Sequence, residues 1–373
     1  MALLASAAYS IALLLSSFLW RLQHATDFRA TYTNRIKGFE AHDNNLRASS
    51  DGNIKLDGKE CLGAPYLYIT LHQGNGNVLK YSRNGCLLDD AVLVDTYEVL
   101  HYDTQLRSMM IGDLGQKSGI LYVADGSNHN SQIIYFDNCE SDPHSKYFGK
   151  RKYLGKVVDN FNNPGASHAY GLATDHHGNI YASFQHTGAV LRFHESSFRP
   201  MDLPPAFYLS RREDYFEGTF MQFGSPREHR IHSDEGVRAV LGVRTNILIA
   251  NEDLNGVAVV SSETGLISEI IPVEKPIGLF YDEHTDVVYI GSKSKKFSGA
   301  VYALDGLNLQ ILGIFAVEGM DHPAGIAVHG DVLFVCDQTQ NIVVAFDTRT
   351  QEYLGIVVKD FPDKVEQIIL SNC

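Results

Sequence analysis

The feature that most limits how this chain can fold is that it repeats itself. Residues 323–361, PAGIAVHGDVLFVCDQTQNIVVAFDTRTQEYLGIVVKDF, hold four apolar, β-branched runs separated by turn residues. Four such runs at short spacing read as a four-stranded antiparallel meander. The same runs recur in the same order at 276–317, 237–273 and 106–161. Residues 169–193 repeat the first three, and the fourth arrives after an insertion, as YFEGTFMQF from Tyr215. The fourth run carries its own signature, YLG at Tyr153 and Tyr353 and LG at Leu312.

A partial unit at 64–94 has the second, third and fourth runs but no first. Elsewhere the first run is a turn followed by an apolar stretch, as in PAGIAV, and one unclaimed segment resembles it: PDKVEQIILS, at the C-terminus. The last strand of the chain is therefore expected to complete the first unit. A meander of this kind cannot bury both faces alone, so repeats stack, and a closed radial array leaves no long exposed edges. The expected fold is all-β: a six-bladed β-propeller of four-stranded antiparallel blades, closed in blade one by the C-terminal strand.

The units GLATDHHGNIYASFQHTGAVLRF and GIAVHGDVLFVCDQTQNIVVAFD resemble NHL repeats: a strand, an Asp/Gly turn, an [IV]-[YF]-[VA] strand and a V-x-x-F strand. The resemblance spans residues 64–373. It implies the ring and is silent on activity, because propellers host many functions.

Residues 2–20 carry no charge, Arg21 ends the run, and a polar stretch follows. The expected organisation is a signal peptide or membrane anchor at 1–22, a polar linker at 23–60 and the propeller at 61–373, routed into the secretory pathway, extracellular or membrane-anchored. A net charge of −13 argues against nucleic acid as a partner, since phosphate binding needs a basic surface.

Five cysteines stand at 61, 86, 139, 336 and 373. In an oxidising compartment they should pair where geometry permits. Cys373 follows the innermost strand of blade one, and Cys61 precedes that blade's second strand, so a Cys61–Cys373 bridge would replace the hairpin loop present in every other blade. Cys86 and Cys139 fall near third-to-fourth-strand turns of adjacent blades and form the candidate second bridge. Cys336, inside VLFVC, reads as a buried free thiol.

In such a meander the links from fourth to first strand and from second to third strand surround one mouth of the central channel. Three residues before the first-strand glycine position stand His168, Glu235, Lys275, His322 and Lys364. At that position itself the alignment places Arg107, Arg238 and Gln367, where three other blades have Gly171, Gly278 and Gly325; Tyr170 and Glu366 immediately precede it. The second-to-third-strand loops add His72, Gln185, Asn251, Glu252, Asp253 and Lys293, and the connection 224–236 could fold over the mouth.

Arg107, His168, Tyr170, Glu235, Arg238, His322 and Glu366 are thus the candidate ligand-binding residues. The two arginines could hold a carboxylate or phosphate, or pair with Glu366 or Glu235. His168 and His322 are candidate zinc ligands, and Glu252 and Asp253 candidate calcium ligands, with Asx-type turn caps the competing role for Asn251 and Asp253. The amidating-lyase propellers are similar in blade pattern and use channel histidines for metal; here Tyr170 and Ala324 occupy the corresponding places, with the histidines two residues earlier. Gluconolactonase-like propellers hold a divalent ion with acidic and amide groups near the channel. No Walker, G-x-S-x-G or HExxH motif is present. The leading expectation is a secreted or surface-anchored binding module whose protein or small-molecule ligand docks on the channel mouth. The alternative is a metal-dependent hydrolase or lyase using Ca²⁺ or Zn²⁺ in the channel.

Overall fold

A computed structural model describes residues 54–373 except 57–58, 74–75, 98, 101–103, 116, 164–165, 194–235 and 294–298. Six antiparallel sheets form the six blades of a β-propeller. Blade two runs through Leu106–Leu114, Lys117–Asp125, Gln132–Phe136 and Arg151–Asp159. Blade four runs through Val237–Val243, Asn246–Asn251, Gly256–Ser261 and Ile267–Pro272. Blade five comprises Pro276–Asp282, Val287–Ser292, Ala300–Asp305 and Ile311–Phe315, and blade six Pro323–His329, Val332–Asp337, Ile342–Asp347 and Tyr353–Val358. Blade three shows Ala169–Thr174, Ile180–Phe184 and Ala189–Phe193; its expected fourth strand from Tyr215 lies outside the described residues.

Blade one is built from both ends of the ring. Val365–Ser371 pairs with Tyr66–Leu71, with Ile368 opposite Ile69, and Leu79–Tyr81 and Leu87–Asp89 complete the sheet. The C-terminal strand closes the ring as expected. The segment read as a polar linker ends in a short hairpin, Ile54–Leu56 against Lys59–Cys61. A further addition is Leu93–Val94, which pairs in parallel with Arg151 and Lys152 and covers part of the outer edge of blade two.

Why these runs become these strands follows from where each lies. Second strands such as Asn246–Asn251 and Val332–Asp337 are buried at every position after the first, because both faces of a blade pack on neighbours. They accordingly read as continuous apolar runs rather than alternating ones. Outer strands meet water, and in Ile267–Pro272 the one buried residue is Ile271. The core is divided among the gaps between blades. Leu67, Ile69 and Ile368 of blade one pack with Phe334, Cys336 and Val343 of blade six, so the closing interface is filled like the others. Cys336 is the buried free thiol expected.

The cysteine pairing differs from the expectation. The bridges are Cys61–Cys86, with Cα atoms 5.8 Å apart, and Cys139–Cys373, 5.7 Å apart. All four residues fall at the end of the ring opposite the mouth, so strand order alone could not choose among partners. The local backbone decided. Leu62 donates its N–H to Asn84 Oδ1 (3.1 Å) and Asn84 Nδ2 donates to the Glu60 carbonyl (2.7 Å), holding Cys61 against the blade's own turn. Cys373 instead continues past its strand toward blade two, where it packs with Tyr153 and Leu121 at the interface of blades one and two.

Candidate functional site

The six first strands begin alike. In each, the pairing register shifts just after the first residue, as between Leu106 and Met109, Ala169 and Leu172, or Val365 and Ile368. A bulge of this kind re-aims side chains, and the equivalent residues are Arg107, Tyr170, Arg238, Ile277, Ala324 and Glu366. This corrects the sequence alignment, which set Arg107 and Arg238 one position later. The position after them is glycine in blades three, five and six, where there is no room for a side chain: a Cβ on Gly171 would lie 2.6 Å from Val240 N, and one on Gly278 2.1 Å from the Ala324 carbonyl oxygen of the next blade. Ser108, Ala239 and Gln367 hold it in blades two, four and one, and counting glycines alone misplaces the neighbours of the first two.

A second repeated contact fixes the mouth. The residue after each second strand donates its N–H to a carbonyl just ahead of the same blade's first strand: His72 to Lys364 (2.7 Å), Gly126 to Gln105 (2.8 Å), Gln185 to His168 (2.9 Å), Glu252 to Gly236 (2.7 Å), Lys293 to Lys275 (3.0 Å) and Gln338 to His322 (2.9 Å). His168 and Lys275 adopt φ of 60° and 43° there, and Gly236 adopts 69°. Gln105 is therefore the blade-two equivalent of His168, and Gln338 the blade-six equivalent of His72 and Glu252. Sequence reasoning overlooked both glutamines; the shared offset from the strand ends was the signal that could have found them.

These frames bring the candidates together in one cluster. Glu366 is 2 % exposed. Its Oε1 accepts from the Tyr170 hydroxyl (2.9 Å), and its Oε2 accepts from Arg107 Nη1 (3.0 Å) and from Gln338 Nε2, with His72 Nδ1 at 3.0 Å. Arg107 Nη2 donates to Gln105 Oε1 (3.0 Å) and to His168 Nε2 (3.1 Å). Arg238 donates from Nε to Glu252 Oε2 (2.9 Å), and Lys275 Nζ lies 3.4 Å from Glu252 Oε1. Both guanidinium groups lie over the Tyr170 ring, Arg238 at 5.1 Å and Arg107 at 5.7 Å from its centroid. Arg107 thus pairs with Glu366, one of its two expected internal partners. Arg238 pairs with Glu252, while Glu235 lies outside the described residues, as does the connection before Gly236.

The electrostatics follow from burial. Burial drives the His168 imidazole down to about 3, helped by the neighbouring Arg107 charge, and drives His322 down to about 4. Both rings are neutral at physiological pH. Burial alone would raise the Glu366 carboxyl, but the Arg107 charge and the His72 hydrogen bond outweigh it and hold the group well below the carboxylate range. Burial pushes the Tyr170 hydroxyl strongly upward, with the Glu366 charge adding to it, so Tyr170 acts as a donor and not as a phenolate.

Two of the metal candidates, His168 and Glu252, already face cations of the protein itself. Arg107 carries only donors on its guanidinium, so His168 Nε2 must be the acceptor in their contact and is spent on a cation already. Glu252 is held by Arg238 and Lys275. Asn251 Oδ1 caps its turn, accepting the N–H groups of Asp253 (3.1 Å) and Leu254 (3.0 Å). Among the described residues, no three His, Cys, Asp or Glu side chains converge as a metal-binding group. Beneath the cluster, a channel cavity of about 260 Å³ is lined at one end by Arg107, Tyr170 and Glu366 and at the other by Ile111, Gly242 and Tyr281.

No protein-family model and no curated protein matches the sequence. Solved structures do match in three dimensions. A chain of a nidogen–laminin complex is 14% identical over 82% of this chain and 98% of its own, with a TM-score of 0.53. A streptogramin B lyase is 10% identical over 81% of this chain and 83% of its own, with a TM-score of 0.50. A protein of unknown function from Bacteroides caccae is 9% identical over 82% and 99%, with a TM-score of 0.51. At such identities the likeness is one of fold, and the chain is a six-bladed β-propeller.

Proposed function

We propose that this NHL-like propeller is a binding module whose ligand docks on the channel mouth. The observation that carries the reading is the cluster itself: four of the six blades contribute polar side chains to one hydrogen-bonded group around the buried Glu366 and Arg107, and Arg238 of blade four lies over the Tyr170 ring beside it. Charges held out of water are a weak source of stability, and places where a chain breaks its own core rules are where function is expected. The nidogen–laminin complex supplies a precedent for this fold within a protein assembly.

Photo-crosslinking tests the reading. A crosslinker placed at the mouth rim, at Lys293 or Gln73, should capture a saturable ligand in cells that make the protein, whereas one at Arg349 or His176, on the opposite face, should not. Equal capture from both faces would refute it. The same proposal places the chain in the secretory pathway, on the outside of the cell or anchored by its N-terminus, and the two disulfides support an oxidising compartment. Residues 1–22 lie outside the described residues, among which no helix is long and apolar enough to cross a membrane. Thiol labelling of the denatured native protein should modify Cys336 and spare the other four cysteines; labelling of all five would count against the assignment.

A further inference from the structure

The channel below the Glu366–Arg107 cluster has two unlike ends. At the mouth end, Arg107, Tyr170 and Glu366 are bonded to one another and only 6 %, 6 % and 2 % exposed, so side chains of blades two, three and one shut it. At the other end, where the first strands finish, Ile111 and Glu283 are exposed and Leu241, Gly242 and Tyr281 are half-buried, so solvent reaches the cavity there. The cavity of about 260 Å³ is a blind pocket entered from the face opposite the mouth.

Its wall is mostly apolar, with Met109, Leu172, Val240, Ile277, Leu279 and Phe280 among the lining residues. Ser108 and Gln367 interrupt it. They hold the same position in blades two and one, and Thr70 ties their backbones together: its Oγ1 donates to the Arg107 carbonyl (3.2 Å) and accepts the Gln367 N–H (3.0 Å). Both residues line the cavity, and among the described residues neither side chain has a hydrogen-bond partner. Unlike the enclosed Arg107 Nε and His168 Nδ1, the Ser108 hydroxyl and the Gln367 amide are open to the cavity, on adjoining stretches of its wall.

Among the lining residues the one cation is Arg107, already held by Glu366, and the open end carries the Glu283 carboxylate. An anion entering would therefore bury its charge without a counter-charge, which is costly. A cavity of about 150 Å³ lined by aliphatic and aromatic side chains holds benzene, and drug-sized pockets begin at about 300 Å³. The volume here falls between them and suits a molecule of about ten non-hydrogen atoms.

We propose that the channel binds a small, neutral, mostly apolar molecule, which enters from the face opposite the mouth and sets one hydroxyl or amide group against Ser108 and Gln367. A hydroxyl and a carboxamide each donate and accept, so a single neutral polar group on the ligand satisfies both side chains. This site is separate from the surface of the mouth, and neither reading depends on the other.

Isothermal titration of the full chain with 2-naphthol, naphthalene and 2-naphthoate tests it. 2-Naphthol should saturate one site, binding about fivefold more tightly than naphthalene, the worth of one net hydrogen bond, and at least tenfold more tightly than 2-naphthoate. In Ser108→Ala/Gln367→Leu, which keeps the apolar wall, the preference for 2-naphthol over naphthalene should vanish. Ala239→Leu fills part of the cavity from the position that holds Gln367 in blade one, and should weaken both neutral probes tenfold or more, with near-ultraviolet circular dichroism confirming the fold. A bulky maleimide on Glu283→Cys should slow 2-naphthol association at least tenfold in stopped-flow fluorescence, and the same group on Asn128→Cys, in an exposed loop at the mouth, should not. The proposal is overturned by 2-naphthoate binding as tightly as 2-naphthol, by a 2-naphthol preference that survives Ser108→Ala/Gln367→Leu, by binding indifferent to Ala239→Leu, or by association slowed from the mouth instead. Failure of every probe to saturate would overturn it as well, leaving a channel that holds water only. None of these outcomes touches the mouth reading, which fails on equal crosslinking from the two faces.

Discussion

The bridge between Cys139 and Cys373 spans 234 residues, and the one between Cys61 and Cys86 spans 25. In the chain-entropy model, cross-linking stabilises by restricting the unfolded state as the logarithm of loop length, which gives about 5.5 kcal/mol for the long loop and about 3.5 kcal/mol for the short one. The difference, about 2 kcal/mol, is what ring closure adds. Typical domains have a net stability of roughly 5–15 kcal/mol, so loss of the long bridge is a large fraction of the whole. The perturbations are Cys139→Ser/Cys373→Ser and, as the internal reference, Cys61→Ser/Cys86→Ser. Urea unfolding followed by far-ultraviolet circular dichroism and by tyrosine fluorescence would give both values, with coincidence of the two probes as the check on a single transition. The long-bridge variant should lose more, and should do so mainly through faster unfolding if the C-terminal strand docks late. Equal losses for the two variants, or a greater loss from the short bridge, would refute the idea that the disulfide acts by tying the ends of the ring.

Other perturbations reach different parts of the molecule. The neutral buried histidines have folded values near 3 for His168 and near 4 for His322, below the ordinary 6.5. The unfolded chain therefore binds more protons, and stability should fall as pH drops from about 7 to 5, by about 2 kcal/mol per histidine; a flat urea midpoint over that range would contradict their burial. Glu366 acts in the same direction lower down, its contribution being lost as pH falls below about 4. Glu366→Gln should cost about 3–5 kcal/mol by leaving Arg107 buried without its counter-charge, and Arg107→Met/Glu366→Leu should recover part of that loss; additive single effects would show that the pair is not coupled. Deleting residues 362–373 removes the innermost strand of blade one and Cys373 together. It should abolish cooperative unfolding of the whole ring, and a truncated chain melting like the intact one would contradict the closure.

The ring itself was legible because each blade repeats a hydrophobic pattern that only stacked four-stranded sheets can bury. PDKVEQIILS could be placed in blade one without coordinates, since no other run was left to pair with Tyr66–Leu71. The same logic put His168, Tyr170, His322 and Glu366 at the mouth, because strand direction fixes the end of the ring to which a residue belongs. Strand direction does not fix lateral position. Four cysteines on one end allowed several pairings, and the hydrogen bonds of Asn84 together with the course of the chain after Ser371 selected Cys61–Cys86 and Cys139–Cys373. The bulge after the first residue of each inner strand moved Arg107 and Arg238 by one place relative to the glycines. Which acid each arginine meets, and that Gln105 and Gln338 join them, depends on contacts across the ring between residues as far apart as Arg107 and Glu366. The sequence by itself determined the periodic, locally encoded part: strands, blade number and the blade that closes the ring. Only the tertiary structure decided the partners within the mouth and among the cysteines, because those choices turn on distances between blades that no local pattern encodes.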